Sequence, residues 1–183
     1  MNFHYETPRL NMRVLYEEQA SLVCDYYIRN KAFLKEWDPA RTDAFYAVEY
    51  HQEQLMNEVK NIKSNAMLRL WLFSKTQEDK VIGMISFSNI VRGVFLSCHL
   101  GYSLDEAYIN QGYMTEALKR GIDIIFKEYK LHRIEANIMP RNLPSRAVLE
   151  KLGFREEGLA KEYLKINGKW EDHIHMVLLN DLV

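Results

Sequence analysis

Hydrophobic spacing predicts a strand and then two helices in the N-terminal third of the chain. Residues 9–15 alternate between apolar and polar side chains, which predicts a half-buried strand. Apolar residues then recur at helical spacing over residues 17–29 and again over residues 45–63. Asp43 precedes the second of these helices and is predicted to cap it. The intervening residues 33–42 are predicted to form a loop.

The middle of the chain predicts three strands, a long helix and a fourth strand. The three apolar runs cover residues 67–73, 80–90 and 94–104, and a polar turn between the first two favours a hairpin. Gly112 then precedes the clearest helical pattern of the sequence, which continues to Ile125. Alternation resumes over residues 131–139 and predicts the next strand.

The C-terminal segments predict a short helix followed by a hairpin. Residues 142–152 begin with Asn142, which can cap the helix, and Gly153 follows them and can end it in the left-handed conformation. Two strand-like runs, residues 159–166 and 170–179, flank Asn167–Gly168. An Asn-Gly pair between such runs is a strong signal for a tight hairpin.

This order of elements predicts an α/β fold of the mixed (α+β) kind. We expect a twisted, mostly antiparallel sheet with one central parallel strand–helix–strand crossover over residues 94–139 and helices on both faces. Apolar residues make up 48% of the 183 residues and charged residues 27%, close to the average of globular domains. We therefore expect a single domain over residues 1–183.

Charge and cysteine content narrow the class of protein. The 24 Lys plus Arg balance 25 Asp plus Glu, so a net charge of −1 gives no global attraction for nucleic acid or an anionic membrane. The two cysteines, Cys24 and Cys98, exclude a disulfide-rich scaffold. The N-terminus lacks the apolar run of a signal peptide, and no apolar run reaches membrane-spanning length. We expect a cytoplasmic protein, monomeric or homodimeric.

The segment Gln111-Gly112-Tyr113-Met114-Thr115 is the candidate anion site. It leads from a strand into the longest helix, where free N–H groups and the helix dipole favour a phosphate. Neither the Gly-Lys-Ser/Thr of a P-loop nor a GxGxxG fingerprint is present. Taken alone, Gly112 is also consistent with a residue that only eases the turn into the helix.

Four segments together resemble the GNAT acetyltransferase superfamily, and in particular its RimJ/RimL-like branch, which modifies protein N-termini. They are Glu6–Leu10, Gln111–Ala117, Asn142–Phe154 and Asn167–His173. The resemblance implies a GNAT fold, acetyl-CoA as co-substrate, direct transfer to an amine in a ternary complex, and no metal. It departs at Ile109, where the broad family pattern has Gln or Arg, so backbone donors must hold the phosphates.

The resemblance also implies roles for individual side chains. Glu106 matches a glutamate that acts as base through water, although a charged strand end is the alternative interpretation. Leu149 stands where many members have a catalytic tyrosine, and Ser145 is the expected replacement as the acid that protonates the thiolate. Asn142 is expected to contact the pantetheine chain, to cap its helix, or both.

Backbone and aromatic groups complete the predicted site. The N–H groups of Tyr102, Ser103 and Leu104 are candidates to bind the thioester oxygen, provided that a β-bulge frees them from the sheet. Trp37 and Tyr46 either line an acceptor cleft or simply pack.

Two other clusters are less suited to catalysis. Cys98 and His99 are adjacent in a strand and point to opposite faces, which argues against a thiolate–imidazole pair. His173 and His175 share a strand face but lack a nearby third metal ligand, so packing is the preferred interpretation.

The nature of the acceptor stays open at this point. A carboxylate acting through water is a weak base, and it suits an α-amine with a pKa near 7.7 to 8.0 better than a lysine with a pKa of about 10.4. A protein N-terminus is therefore the preferred acceptor. A polyamine or an aminoglycoside is an alternative, and a non-catalytic acyl-CoA-binding module is another.

Overall fold

The computed structural model describes residues 3–181 as one eight-stranded sheet with five α-helices. The strands are β1 (His4–Glu6), β2 (Leu10–Arg13), β3 (Leu68–Ser74), β4 (Gln77–Val91), β5 (Ser97–Leu104), β6 (Arg133–Ile138), β7 (Arg155–Ile166) and β8 (Lys169–Leu179). The helices are α1 (Ala20–Arg29), α2 (Lys31–Leu34), α3 (Val48–Lys63), α4 (Tyr113–Lys127) and α5 (Leu143–Lys151). No helix within these residues is both long enough and apolar enough to cross a bilayer.

The sheet is mixed, as predicted. Its strand order is β1-β2-β3-β4-β5-β6-β8-β7, and β5 and β6 are parallel while the other neighbouring strands are antiparallel. Helix α4 connects the parallel pair, so the predicted strand–helix–strand crossover is confirmed. The C-terminal hairpin is inserted so that β8, not β7, pairs with β6.

Helices cover both faces of the sheet. Alternate residues of β3 belong to different buried clusters: Leu70 and Leu72 pack in the cluster that contains α4, whereas Trp71 and Phe73 pack in the cluster that contains α1. Because successive side chains of a strand point to opposite faces, α4 and α1 lie on opposite sides. Two cores therefore sandwich the sheet.

The helix cap and the hairpin turn predicted near the C-terminus are confirmed. The side chain of Asn142 accepts a hydrogen bond from the Ser145 N–H at 3.1 Å and caps α5. Gly153 follows that helix with φ of +90°. Asn167 and Gly168, with φ of +43° and +85°, form the predicted two-residue turn between β7 and β8.

The N-terminal third departs from the predictions. Asp43 does not cap the long helix: residues Asp43–Tyr46 form a 3₁₀ turn, and α3 begins only after Ala47. The cause is Phe45, which is buried against Tyr27 and so holds this turn against the core. Helix α2 occupies the start of the predicted loop, and β1 pairs with β2 where the hydrophobic pattern predicted no strand.

Helix α4 packs unusually close to the sheet at Gly121. A Cβ placed on this glycine would lie 2.5 Å from Ile85 Cδ1 and 2.9 Å from Phe87 Cε2, well inside ordinary contact distance. This close approach fixes the height of α4 above β4. It thereby fixes where the N-terminus of the helix emerges.

We predict that Gly121→Val destabilises the protein by about 2 kcal/mol, because added methyl groups overpack a filled core. For a chain of this size each kcal/mol lowers the melting temperature by roughly 2–4 °C. Lys119→Val is the matched control, since it places the same β-branched side chain on the exposed face of α4. Equal melting temperatures for the two variants would contradict the close packing.

Candidate active site

The parallel strands β5 and β6 pair at one end and separate at the other. Their register begins at Ser97↔Arg133 and ends at Leu100↔Ala136, although both strands continue. Beyond Leu100, residues up to Leu104 still pair with β4 on their other side. The strands thus open a cleft at their carboxyl ends, and one edge of β5 faces it.

The predicted β-bulge at Tyr102–Leu104 is absent, and the separation of β5 from β6 frees backbone groups there instead. Residues Tyr102, Ser103 and Leu104 keep a regular register with β4, and the shift in that pairing lies between Ser88 and Val91 instead. Backbone N–H and C=O groups of a strand alternate between its two edges. Half of these groups at Tyr102–Leu104 therefore face the cleft without any bulge.

Helix α4 begins at the phosphate-loop candidate. Gly112 is its N-cap residue and adopts the left-handed conformation, with φ of +79° and ψ of +1°. The Gln111 and Gly112 positions are exposed, and Tyr113 and Thr115 are half-buried. The Met114 side chain is only 7% exposed and packs in the core, so this residue has only its backbone N–H to offer an anion.

The N-terminal segment supports this loop through Arg9 and Thr7. The Arg9 Nε donates to Glu116 Oε2 at 2.7 Å, and its Nη1 donates to the Gln111 carbonyl at 2.9 Å. The Thr7 hydroxyl donates to Glu116 Oε1 at 2.6 Å. The Arg9 guanidinium also lies 4.3 Å from the centre of the Tyr113 ring. Residues about a hundred positions apart in sequence thus meet at the start of α4.

Ser145 faces β5 from the first turn of α5. Its Oγ lies 2.6 Å from the Tyr102 hydroxyl, and Asn142 Oδ1 accepts from its backbone N–H. Burial raises the pKa of Tyr102 to about 12, despite the opposing effect of the hydrogen bond with Ser145. The phenol therefore stays protonated at neutral pH. Leu149 is fully buried in the apolar core and carries no proton-transferring group.

The adjacent carboxylates Asp105 and Glu106 have different surroundings. Asp105 is buried; Arg29, Asn30 Nδ2 and the Ala107 N–H all donate hydrogen bonds to it. Burial alone would raise its pKa, but these donors hold the pKa below the ordinary value of an aspartate. Glu106 is exposed, and Asn30 Oδ1 accepts from its backbone N–H at 3.0 Å. Asp105 therefore anchors the strand end, and Glu106 is the carboxylate available to solvent.

A cavity of about 250 Å³ is lined by one of the two acceptor candidates, Tyr46, whereas Trp37 is not among its lining residues. Asp38 also lines it, as do Asn167 at the tip of the β7–β8 hairpin and the cationic side chains of Lys31, Lys35 and Arg41. Arg41 pairs with Asp38 at 3.3 Å, and Lys31 Nζ lies 4.1 Å from the centre of the Tyr46 ring. The Asn167 N–H donates to the Asp38 carbonyl at 3.0 Å and joins the hairpin to the loop after α2. Trp37 lies beside this junction, with its ring centre 5.9 Å from the guanidinium of Arg141.

The remaining candidates take structural roles. Burial raises the pKa of the Cys98 thiol to about 12, and His99 is on the other face, where its Nε2 lies 3.3 Å from Glu135 Oε1. His173 is buried with its Nδ1 2.9 Å from the Glu171 carbonyl oxygen, and His175 Nδ1 lies 3.3 Å from Glu135 Oε1. Across residues 3–181 no group of three His, Cys, Asp or Glu side chains is arranged to hold a metal ion.

Sequence reasoning missed three features of this region. It selected Tyr102 for its backbone, whereas its hydroxyl contacts Ser145; the alternation of Cys98, Leu100 and Tyr102 on one strand face was the available signal. It grouped Asp105 with Glu106 and did not predict the burial that separates them. It gave Arg9 no role at the candidate phosphate loop, where Arg9 contacts Glu116 and the Gln111 carbonyl.

A family match agrees with this arrangement. The model of the acetyltransferase (GNAT) domain matches residues 9–155, which is well over half of the chain. The protein belongs to the GNAT acetyltransferase family, and it is an acetyl-CoA-dependent N-acetyltransferase. Its mixed sheet with helices on both faces is the GNAT fold.

Individual relatives are similar over nearly the whole length. The ribosomal protein uS5-alanine N-acetyltransferase of Escherichia coli K12 is 39% identical over 170 residues, 92% of this chain and 86% of that protein. The crystal structure of ribosomal-protein-S5-alanine acetyltransferase from Vibrio fischeri is 40% identical, with a TM-score of 0.93 and coverage of 98% of both chains. Mycobacterium smegmatis RimJ in complex with CoA-disulfide is 28% identical, with a TM-score of 0.87 and coverage of 95% of this chain and 83% of RimJ.

Proposed function

We propose that this protein transfers the acetyl group of acetyl-CoA to the N-terminal α-amine of a protein, by direct attack within a ternary complex. The observation that carries the proposal is the contact between Tyr102 and Ser145 at the cleft between β5 and β6, next to the N-terminus of α4. Relatives about 40% identical, whose names describe acetylation of an alanine of ribosomal protein S5, support the choice of acceptor.

The residues around the cleft fit acetyl-CoA. The first N–H groups of α4 and the left-handed Gly112 suit a diphosphate, because they present donors on a surface without a side chain. The open edge of β5 at Tyr102–Leu104 offers backbone partners to the amides of a pantetheine chain. When bound, acetyl-CoA supplies an activated acetyl thioester and a thiol leaving group. Ile109 is exposed and apolar, so it adds no polar contact.

Ser145 is assigned as the acid that protonates the departing thiolate. Its Oγ is within hydrogen-bond distance of a phenol that stays protonated at neutral pH. Either hydroxyl can donate in this contact, and the Ser145 carbonyl lies 3.3 Å from the Tyr102 hydroxyl as a second acceptor. When Tyr102 donates, the serine hydroxyl keeps its own proton free to donate into the cleft. The cap formed by Asn142 holds the backbone of Ser145 in place.

Glu106 is assigned as the base, acting through water. It is exposed at the end of β5, and Asn30 fixes its backbone. Freeing a lysine amine at neutral pH costs roughly 3.5 kcal/mol more than freeing an α-amine, at 1.36 kcal/mol for each unit of pKa. A carboxylate that acts through water is a weak base, so it can deprotonate an α-amine more readily than a lysine amine. This difference favours an N-terminal acceptor.

The acceptor is assigned to the cavity beneath the β7–β8 hairpin. Tyr46, Asp38 and Asn167 line it, and so do the cationic side chains of Lys31, Lys35 and Arg41. Aromatic faces and hydrogen-bonding groups suit the first residues of a peptide. Because Arg41 already pairs with Asp38, this carboxylate is not assigned to the acceptor amine. A polyamine or an aminoglycoside is the alternative acceptor, and binding of acyl-CoA without turnover is the alternative from another class.

We further infer that residues 1–183 form one catalytic domain and that the protein acts in the cytoplasm, where its expected acceptors are made. Every residue assigned a role belongs to one chain, so the proposal requires no second copy. It also requires neither a metal nor nucleic acid.

The test is acceptor-dependent release of CoA from acetyl-CoA. A peptide with the N-terminal sequence of ribosomal protein uS5 after methionine removal should be acetylated on its α-amine, as mass spectrometry would show. The same peptide with a blocked N-terminus and a free lysine is the control and should release no CoA. Release with polyamines or aminoglycosides but not with peptides would favour the small-molecule alternative, and binding of CoA without any release would favour the non-catalytic one.

Ser145→Ala should lower kcat about tenfold to 10²-fold and leave the KM for acetyl-CoA nearly unchanged, because proton donation matters only as the thioester bond breaks. Tyr102→Phe is the companion variant: it keeps the serine hydroxyl but removes its partner, so we expect a smaller loss in kcat. Steady-state kinetics measures both. A loss confined to KM would make Ser145 only a capping or binding residue.

Glu106→Gln should lower kcat about 10²-fold near neutral pH, the usual scale of general base catalysis, without changing affinity for acetyl-CoA. The deficit should shrink as the pH rises past the α-amine pKa of about 8, because the free amine then becomes abundant. Glu18→Gln, an exposed carboxylate on the 3₁₀ turn before α1, is the control. A deficit that stays constant with pH would indicate acceptor positioning rather than proton transfer.

A further inference from the structure

Arg9 contacts three residues at the start of α4, namely Gln111, Tyr113 and Glu116. Besides the bonds from its side chain to Glu116 and to the Gln111 carbonyl, its backbone N–H donates to Glu116 Oε1 at 2.9 Å. Its guanidinium stacks on the ring of Tyr113. These contacts hold the residues on both sides of Gly112, the N-cap residue of α4.

Glu116 poses an electrostatic problem for anion binding at this place. It lies in the first turn of α4, beside the N–H groups that would receive a diphosphate. Burial would raise its pKa, but hydrogen bonds from Thr7 and Arg9 hold the pKa below the ordinary value of a glutamate. Glu116 therefore stays ionised, and an uncompensated negative charge here would repel phosphate oxygens. The Arg9 guanidinium, paired with it at 2.7 Å, supplies the compensating charge.

Arg9 also reaches toward the surface of Gly112. Its Nη2, which takes part in neither of the two side-chain hydrogen bonds described above, lies 3.4 Å from the point where a Cβ on Gly112 would stand. An exposed isoleucine occupies position 109, where the resemblance led us to expect Gln or Arg. A cationic side chain thus arrives at the same loop from the N-terminal segment instead.

We propose that Arg9 is a positioning residue for the diphosphate of acetyl-CoA. It neutralises the charge of Glu116 and fixes the Gln111–Tyr113 backbone. The N–H groups at the start of α4 then face the phosphates without repulsion from a nearby carboxylate. This inference rests on the proposed placement of the diphosphate at Gly112. The competing interpretation is that Arg9 only ties the N-terminal segment to α4 and so contributes stability alone.

The structure provides a matched control for this distinction in Arg13, at the other end of β2. Arg13 also stacks on an aromatic ring, Phe73, at 3.8 Å, and its Nη2 donates to the Glu78 carbonyl at 3.0 Å. It therefore shares with Arg9 a ring contact and a hydrogen bond to a backbone carbonyl, but not the ion pair with a carboxylate. Arg13→Gln thus controls for loss of an arginine that packs beside β2 away from the phosphate loop.

The experiment measures the Kd for CoA by calorimetry and the KM and kcat for acetyl-CoA on the full-length chain. Arg9→Gln should raise Kd and KM about tenfold, the scale expected for loss of a charge-assisted contact, with kcat changed less than about twofold. Arg13→Gln should leave all three values at the wild-type level. Arg9→Lys, which keeps the charge but not the planar fork, should fall between wild type and Arg9→Gln.

A double variant isolates the charge effect. Arg9→Gln/Glu116→Gln removes both charges, so it should bind CoA more tightly than Arg9→Gln alone. Equal affinity of the double and single variants would overturn the proposal, and so would wild-type Kd and KM values in folded Arg9→Gln. Failure of the wild-type chain to bind CoA at all would instead contradict the proposed function.

Discussion

The separation of β5 from β6 is the constraint on which the rest of the site depends. Parallel strands satisfy each other's backbone groups, and here that pairing ends at Leu100 and Ala136 while both strands continue. Polar backbone groups that lose a strand partner need another one. The cleft edge is therefore suited to an extended ligand with amides of its own. Contacts on either side keep it open: Tyr102 meets Ser145 of α5, and helix α1 holds the end of β5 through Asp105.

Burial decides how the carboxylates near this cleft are used. Asp105 and Glu106 are neighbours in the chain, yet one is enclosed by donors and the other is exposed. The enclosed carboxylate keeps its charge because Arg29 and backbone and amide donors stabilise it, and it serves as an anchor. Glu116, in the first turn of α4, likewise keeps its charge, because, against the effect of burial, hydrogen bonds from Thr7 and Arg9 hold its pKa below the ordinary value of a glutamate. Only Glu106 among the three is left available for proton transfer.

The fold assigns separate elements to the parts of the proposed reaction. The N-terminus of α4 would take the phosphates, the end of β5 and the first turn of α5 would take the thioester, and the cavity under the β7–β8 hairpin would take the amine. Helix α4 is held at a defined height by the close packing at Gly121. The hairpin is held by the bond from Asn167 to the Asp38 carbonyl. Relative positions within the site therefore depend on packing far from the reacting atoms.

Hydrophobic periodicity in the sequence determined the central strands and the long helix after Gly112, because these patterns reflect burial on one face of a local element. The Asn-Gly pair determined the C-terminal hairpin, because both residues readily adopt the positive φ of its turn. Local motifs likewise indicated the candidate phosphate loop at Gly112 and the cap at Asn142, and the structure confirms the cap. The start of α3 was misjudged because burial of Phe45, a tertiary effect, outweighs the capping preference of Asp43. The pairing of Tyr102 with Ser145, 43 positions apart, and of Arg9 with Glu116, 107 positions apart, was decided by the tertiary structure alone. Such contacts leave no periodic signal, since only the assembled sheet brings these distant segments together.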